Sequence, residues 1–595
     1  MCATFAAFHP AWSYDFGRFD GFVWDDDDHY LSDPLIAAPD GWWRIWVDPQ
    51  PGIVGQEGGA AVWNYWPLSR SSFWLDRHLF GVDANGRPDL RASHLVNVGL
   101  HALNAVLVFL LLRRLRVPGA ALAGLIFAVH PVTVESVAWL TERKNVLSTC
   151  FVLLAALAWL GFLERGGGRR YAQSVLLFLL ALMAKTATVM FPVVLVLLQW
   201  ARREPFTPRA LRRLAPFFGL SLIAGLTSIH FERRYISSGA VFTASFAERI
   251  AGAGQIVWFY LGKLLFPVDL AFNYPRWQID PAAITSYGPT LAVAIVAALL
   301  FGLRDRGARP VALALGSFVA LLFPVLGFFD LYGMRYARVA DHWQYLPAIA
   351  VIALVTAALT RAADRFGGAH PRRRLIARCG LAGVSSALLA LLAFATWQQS
   401  GAYRDSETLW RHTLARQPDS AIAHNNLGTW LRGRGRLDEA DAQFRLAIEA
   451  DPDFAEPYLN RGNLIHATTG DLERAAPFWR QALERDADQP IALYNLSLHA
   501  FARRDIEGTE ALLVRALAAE PTFPLALEML GRLHESRGRA FESVPYFERA
   551  RALATARRAD ARGVTRPIGC AIALVLIGAA AVSVDEERHR ASLGA

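Results

Sequence analysis

Hydrophobic and polar positions divide the chain into three stretches. Up to about residue 92, polar and aromatic residues mix with Gly and Pro without a sustained period, which reads as loop. Eleven apolar runs follow, at 93–112, 117–137, 146–163, 171–184, 186–200, 214–229, 250–266, 286–303, 309–328, 345–361 and 375–397. A helix needs about 20 residues to cross a bilayer, so these runs predict about ten crossings, the shorter ones tilted, kinked or broken. From about residue 398 the chain turns polar again, with small and aromatic residues recurring at a fixed interval.

Basic clusters between the runs set an orientation. Loops 113–116, 164–170, 201–213, 304–309 and 361–374 carry Arg residues and are expected on the cytoplasmic side. Residues 1–92, 138–145, 185, 230–249, 267–285 and 329–344 then face the other side. The run 250–266 has an outside-type loop at each end, so it reads as re-entrant or interfacial, or as a run with a misplaced boundary. The last run delivers the C-terminal part to the outer side, in the same compartment as the N-terminal loop.

In that C-terminal part Gly428, Gly462, Ser497 and Gly531 occupy equivalent positions, spaced by 34, 35 and 34 residues. Around the first lie Leu427, Gly435, Ala440, Phe444, Ala447 and Pro452; around the fourth lie Leu530, Gly538, Phe547 and Ala550. Small residues let paired helices approach, the aromatic fills the gap between them, and proline ends the second helix. This is the pattern of tetratricopeptide (TPR) repeats, whose stacks form an α-solenoid with a concave surface suited to peptides. Residues 406–418 read as a lone second helix leading into the array. A further apolar run at 567–583 is either a short span or a cap on the solenoid.

The predicted organisation is therefore all-α: an outer acidic and aromatic region at 1–92, a multi-spanning membrane domain at 93–397, repeats at 398–555 and a tail at 556–595. Composition agrees. The 595 residues are 54% apolar yet include 61 Lys and Arg, which suits spans plus charged loops better than one soluble core. The net charge of +9 comes from Arg clusters beside apolar runs, so it is read as topology and not as nucleic-acid binding. The four cysteines lack metal-ligand or disulfide spacing. The opening MCATFAAFHPAW has neither the basic start nor the apolar core of a signal peptide.

Candidate chemistry lies in the outer segments. The run Asp25-Asp26-Asp27-Asp28 stands beside Trp24 and His29. Adjacent carboxylates repel, so such a run can act as a base or hold a divalent metal, or it can be a solvated acidic loop. His130-Pro131 to Glu135 and Thr141-Glu142-Arg143-Lys144-Asn145 lie between two spans. Ionisable residues at membrane depth are costly, which makes them functional candidates. Arg143 and Lys144 can meet a phosphate, or pair with Glu135 and Glu142 and pin the loop. Lys185 is a third phosphate candidate or a snorkelling side chain. Asp341-His342-Trp343-Gln344-Tyr345-Leu346-Pro347 lies on the same side.

Together these residues resemble the transmembrane-and-TPR protein O-mannosyltransferases and their bacterial relatives. The resemblance rests on Phe22 to Asp28, Trp66-Pro67-Leu68, His94 to Asn97 with His101, His130 to Lys144, Lys185, Asp341 to Pro347 and the repeats, in that order. It implies a GT-C type membrane glycosyltransferase fold. It also implies a polyprenyl-phosphate hexose as donor, mannose or another hexose, and Ser or Thr hydroxyls of an acceptor protein held in the TPR groove. Mapped here, Asp26 or Asp27 stands at the reaction centre, with Asp28 a lesser candidate. Arg143, Lys144 and Lys185 meet the donor phosphate, and Glu135, His130 and His342 orient the acceptor or the site. No metal ligand set is implied. Relatives carry a span before the acidic loop and commonly an Arg where this chain has His342. Partners are membrane lipid and an acceptor protein. The expected location is a bacterial inner membrane, with the repeats periplasmic. The alternative is a non-catalytic membrane scaffold displaying the repeats.

Overall fold

The structure, a computed structural model, describes residues 1–13, 23–24, 26–31, 33–47, 65–83, 86–235, 244–368 and 370–560. Among these residues β pairing is confined to one isolated bridge, Val82 to Pro88. The chain is an all-α membrane domain followed by a TPR region. The apolar run 567–583 lies outside the described residues.

Each of the eleven apolar runs forms a helix, from Leu90–Arg114 to Pro371–Ser400. Among the described residues only five helices are long and apolar enough to cross a membrane, or six if Ala120–Val129 and Pro131–Ala138, bent by 54°, count as one broken span. By that measure the expected ten crossings are too many. The reason is length and charge: Gly168–Ala184 has 17 residues, and Phe246–Leu265 carries Glu248, Arg249 and Lys263. Phe246–Leu265 is the run whose two ends both read as outer loops, and its Gly252, Gly254 and Tyr260 are buried inside the bundle.

The N-terminal stretch is less loop-like than its composition suggests. Pro67–Phe80 is a 14-residue helix started by proline. Cys2–Ala7 and His9–Trp12 pack on Leu90–Arg114 and Pro371–Ser400, with the buried Phe8 ring edge-on to His101 at 5.3 Å.

The bundle has two chemically distinct ends. At one, the basic loops meet: Arg114 grips Glu164 with two hydrogen bonds of 3.0 and 2.8 Å, Tyr171 donates to the Arg213 carbonyl, and Arg309 donates to that of Trp200. The turn there needs glycine, because Gly166 and Gly167 have φ of 67° and 95°. At the other end the segments expected outside converge, and the repeats begin. Ser420 donates to Asn273 Oδ1 at 3.3 Å, and Tyr336 packs edge-on to Phe454 at 6.2 Å.

Four helix pairs build the repeats, from Ala421–Gly433 with Leu437–Ala450 to Pro524–Ser536 with Ala540–Asp560. The helix Ser406–Arg416 precedes them. Small residues are needed where the paired helices touch. A Cβ on Gly428 would sit 2.7 Å from the Phe444 ring, one on Gly462 2.6 Å from Trp479, and one on Gly531 2.9 Å from Phe547.

Candidate active site

The site begins with a break in a helix. Pro131 has no N–H to give, so the chain bends after Val129, and Thr396 donates to the Val129 carbonyl at 2.8 Å. His130 fixes the turn. Its Nδ1 accepts from Val132 N–H at 3.3 Å, which leaves Nε2 protonated to donate to the Leu264 carbonyl at 3.1 Å. Both ring nitrogens are thus engaged in holding backbone. His130 shapes the site and is not brought to its charged groups.

Downstream, three charges share one buried cluster. Glu142 binds Lys144 through Oε1 at 2.7 Å and Lys185 through Oε2 at 2.9 Å. Asn145 Nδ2 also donates to Glu142 Oε2, and to the His342 carbonyl at 2.9 Å. The Lys144 ammonium lies 5.4 Å from the Trp66 ring centre and 5.3 Å from that of Trp139, within cation–π range. One carboxylate thus meets two ammonium groups. A small cavity of about 30 Å³ adjoins it, with Asn145, Ser148, Lys185 and His342 as polar lining and Leu321 and Val325 as apolar lining. The lining is cationic and hydroxyl-bearing on one side and apolar on the other.

A second acidic group lies beside it. Glu135 accepts from His342 Nδ1 at 2.7 Å and from the His342 backbone N–H at 3.1 Å. Next to it, Asp341 accepts from Tyr274 at 2.9 Å and from Gln344 at 3.2 Å. Burial, and then the Glu135 charge, push the Asp341 carboxyl up to about 8. Burial, and then Asp341, hold the Tyr274 phenol well above its ordinary value. At neutral pH Asp341 therefore carries a proton beside its neighbour Glu135.

Asp26 comes to the same end of the bundle. It is fully buried, with Oδ1 accepting from Thr141 N–H at 2.9 Å and Oδ2 from Val23 N–H at 3.0 Å. The acidic loop is thereby tied to the segment that carries Glu142. Asp27 starts a π-helical turn, Asp27–Leu31. Asp25 and the side chains of Asp27 and Asp28 lie outside the described residues.

Arg143 goes elsewhere. Its guanidinium is fully buried, 2.6 Å from Asp76, and donates to Asn97 Oδ1 at 2.6 Å and the Ser93 carbonyl at 2.8 Å. It also lies over the Phe73 ring at 4.3 Å. Of the expected site residues, Glu135, Lys144, Lys185 and His342 come together around Glu142, and Asp26 joins through Thr141. Arg143 instead clamps the Pro67–Phe80 helix to Leu90–Arg114. The sequence reading missed Asp76 and Tyr274 as partners. Nothing local marks them, because their partners lie 67 residues away in each case.

The tetratricopeptide repeat family model matches residues 421–454. A protein O-mannosyl-transferase of Caenorhabditis elegans is 23% identical over 73% of this chain and 60% of its own length. A protein O-mannosyl-transferase of Drosophila melanogaster is 25% identical over 74% of this chain and 60% of its own. A human one is 24% identical over 75% and 55%. The chain thus spans about 60% of the length of the curated relatives it matches. Among solved structures, the crystal structure of MamA covers 27% of this chain at 18% identity, with a TM-score of 0.23, too low to add to the case. Over about three quarters of its length the chain is similar to protein O-mannosyl-transferases, and it carries a tetratricopeptide repeat after its membrane helices.

Proposed function

We propose that this chain is a membrane glycosyltransferase. It moves mannose or another hexose from a polyprenyl-phosphate donor to Ser or Thr hydroxyls of an acceptor protein held by the repeats. The observation that carries this reading is the buried Glu142–Lys144–Lys185 cluster beside a cavity with a mixed polar and apolar lining. Its two ammonium groups suit a lipid-borne phosphate, and cations there stabilise the charge that develops as the phosphate departs.

In this reading Lys144 and Lys185 meet the donor phosphate. The acceptor oxygen bonds to the sugar carbon as the bond to phosphate breaks, and the hydroxyl proton passes to a carboxylate of the acidic loop, Asp26 or Asp27. Glu135 orients His342 on the acceptor side, and His130 holds the turn. Arg143 acts one layer back, as a positioning residue. The repeats raise the local concentration of acceptor. The location that follows is a bacterial inner membrane, with site and repeats on the periplasmic face.

The test is mass spectrometry of outer-side proteins from a deletion strain rescued with wild type or with Asp26→Asn, Asp27→Asn. Loss of a positioned base lowers rate by about a hundredfold or more, so hexose-bearing Ser/Thr peptides should return with the wild type alone. Identical glycosylation in all strains, with the deletion phenotype rescued by the Asn variant, would instead favour the scaffold.

A further inference from the structure

The acidic loop reaches Asp26 through an unusual backbone conformation. Trp24 has φ of 53°, in the left-handed region that bulky side chains rarely adopt. The turn closes through Asp26 N–H to the Val23 carbonyl at 3.2 Å and Val23 N–H to Asp26 Oδ2 at 3.0 Å. Backbone in such a conformation persists only where its surroundings hold it.

Aromatic rings from three other segments surround Trp24. Its indole lies 5.5 Å from Phe272, 5.9 Å from Tyr336 and 5.3 Å from Trp410. The first two belong to outer segments of the membrane domain. Trp410 belongs to Ser406–Arg416, the helix that leads into the repeats. It is 2% exposed and also meets Phe272 edge-on at 5.4 Å. Phe272 touches Trp139 at 5.0 Å, and Trp139 lies against both His342 and Lys144. A continuous set of aromatic contacts thus joins the pre-repeat helix to the acidic turn and to the charged cluster.

We propose that Trp410 is a positioning residue for the acidic loop, so that the pre-repeat helix completes the site in addition to linking it to the repeats. Trp410 holds the Trp24 ring, the ring holds the left-handed turn, and the turn delivers the Asp26 carboxylate to Thr141. This inference rests on the transferase reading for its kinetic consequence, but its geometric claim can be read separately.

The experiment uses the full chain in lipid nanodiscs, with polyprenyl-phosphate mannose and a short Ser/Thr peptide. Trp410→Ala should lower kcat by about ten- to a hundredfold with the donor KM unchanged, because the displaced group acts in the reacting geometry. Trp410→Phe, which keeps a ring, should recover most of the rate. Hydrogen exchange is measured on the same samples. The Val23 and Thr141 amides, both bonded to Asp26, should exchange about tenfold faster in Trp410→Ala, while the Leu90–Arg114 amides stay protected. Unchanged exchange at Val23 and Thr141 overturns the proposal whatever the activity, as does wild-type kcat in Trp410→Ala. A wild-type chain that transfers nothing counts against the transferase reading, and the exchange result then decides this inference alone. If Trp410→Ala does not fold, Trp410→Leu preserves bulk without the ring and the same amides decide.

Discussion

Arg143 and Lys144 are neighbours in sequence, yet their charges go to different places. Lys144 joins Glu142, while Arg143 is buried against Asp76 and Asn97. Sequence marks both as cations at membrane depth but does not reveal the partner, because Asp76 is supplied by a helix folded from a stretch that reads as loop. Removing one member of a buried ion pair leaves the other charge uncompensated, at a cost of about 3–5 kcal/mol, whereas apolar replacement of both is often neutral. Arg143→Met should therefore lower the thermal midpoint clearly, and adding Asp76→Leu should restore much of it. A midpoint unchanged by Arg143→Met, with a raised donor KM, would return Arg143 to the phosphate. Asp341 gives a pH-dependent counterpart. Its carboxyl titrates near 4 when unfolded and is pushed up to about 8 in the fold, so folding retains a proton between those values. Its contribution is fully present below about pH 4 and is lost as pH rises through 8. Thermal midpoints taken from pH 5 to 9 should fall more steeply for wild type than for Asp341→Asn, and parallel curves would refute the assignment.

The helical elements were largely legible. All eleven apolar runs became helices, because sustained hydrophobicity survives any tertiary context, whereas the number of crossings did not follow, since length and charge also decide whether a helix spans. In the repeats the fixed interval exposed the packing as well as the period. Gly428, Gly462 and Gly531 each face an aromatic, Phe444, Trp479 or Phe547. The third repeat differs at both equivalent positions, with Ser497 and Leu513. The larger small residue thus accompanies the smaller partner. Gly428→Ala should destabilise the repeats by about 1–3 kcal/mol through overpacking, and Phe444→Leu should relieve most of that loss. Thermal unfolding of the single and double variants would show it; additive losses would mean that the two positions do not share the contact.

At the scale of the whole molecule, Arg-rich loops gather at one end of the bundle and the acidic loop, charged cluster and repeats at the other. This polarity could be read from loop charge alone, since it is a property of each segment. Contacts such as Trp24 with Trp410 could not, because nothing in either neighbourhood points across the intervening chain. Glu142 carries a further consequence. A carboxylate already seated between Lys144 and Lys185 makes the resting site behave as an ion exchanger loaded with a tethered counter-ion. An incoming anion must compete with a rival that never diffuses away. Charge alone is then a poor entry ticket, so the abundant anionic lipids of a bilayer should pass by. Occupancy then favours an anion that also fills the apolar lining beside Leu321 and Val325.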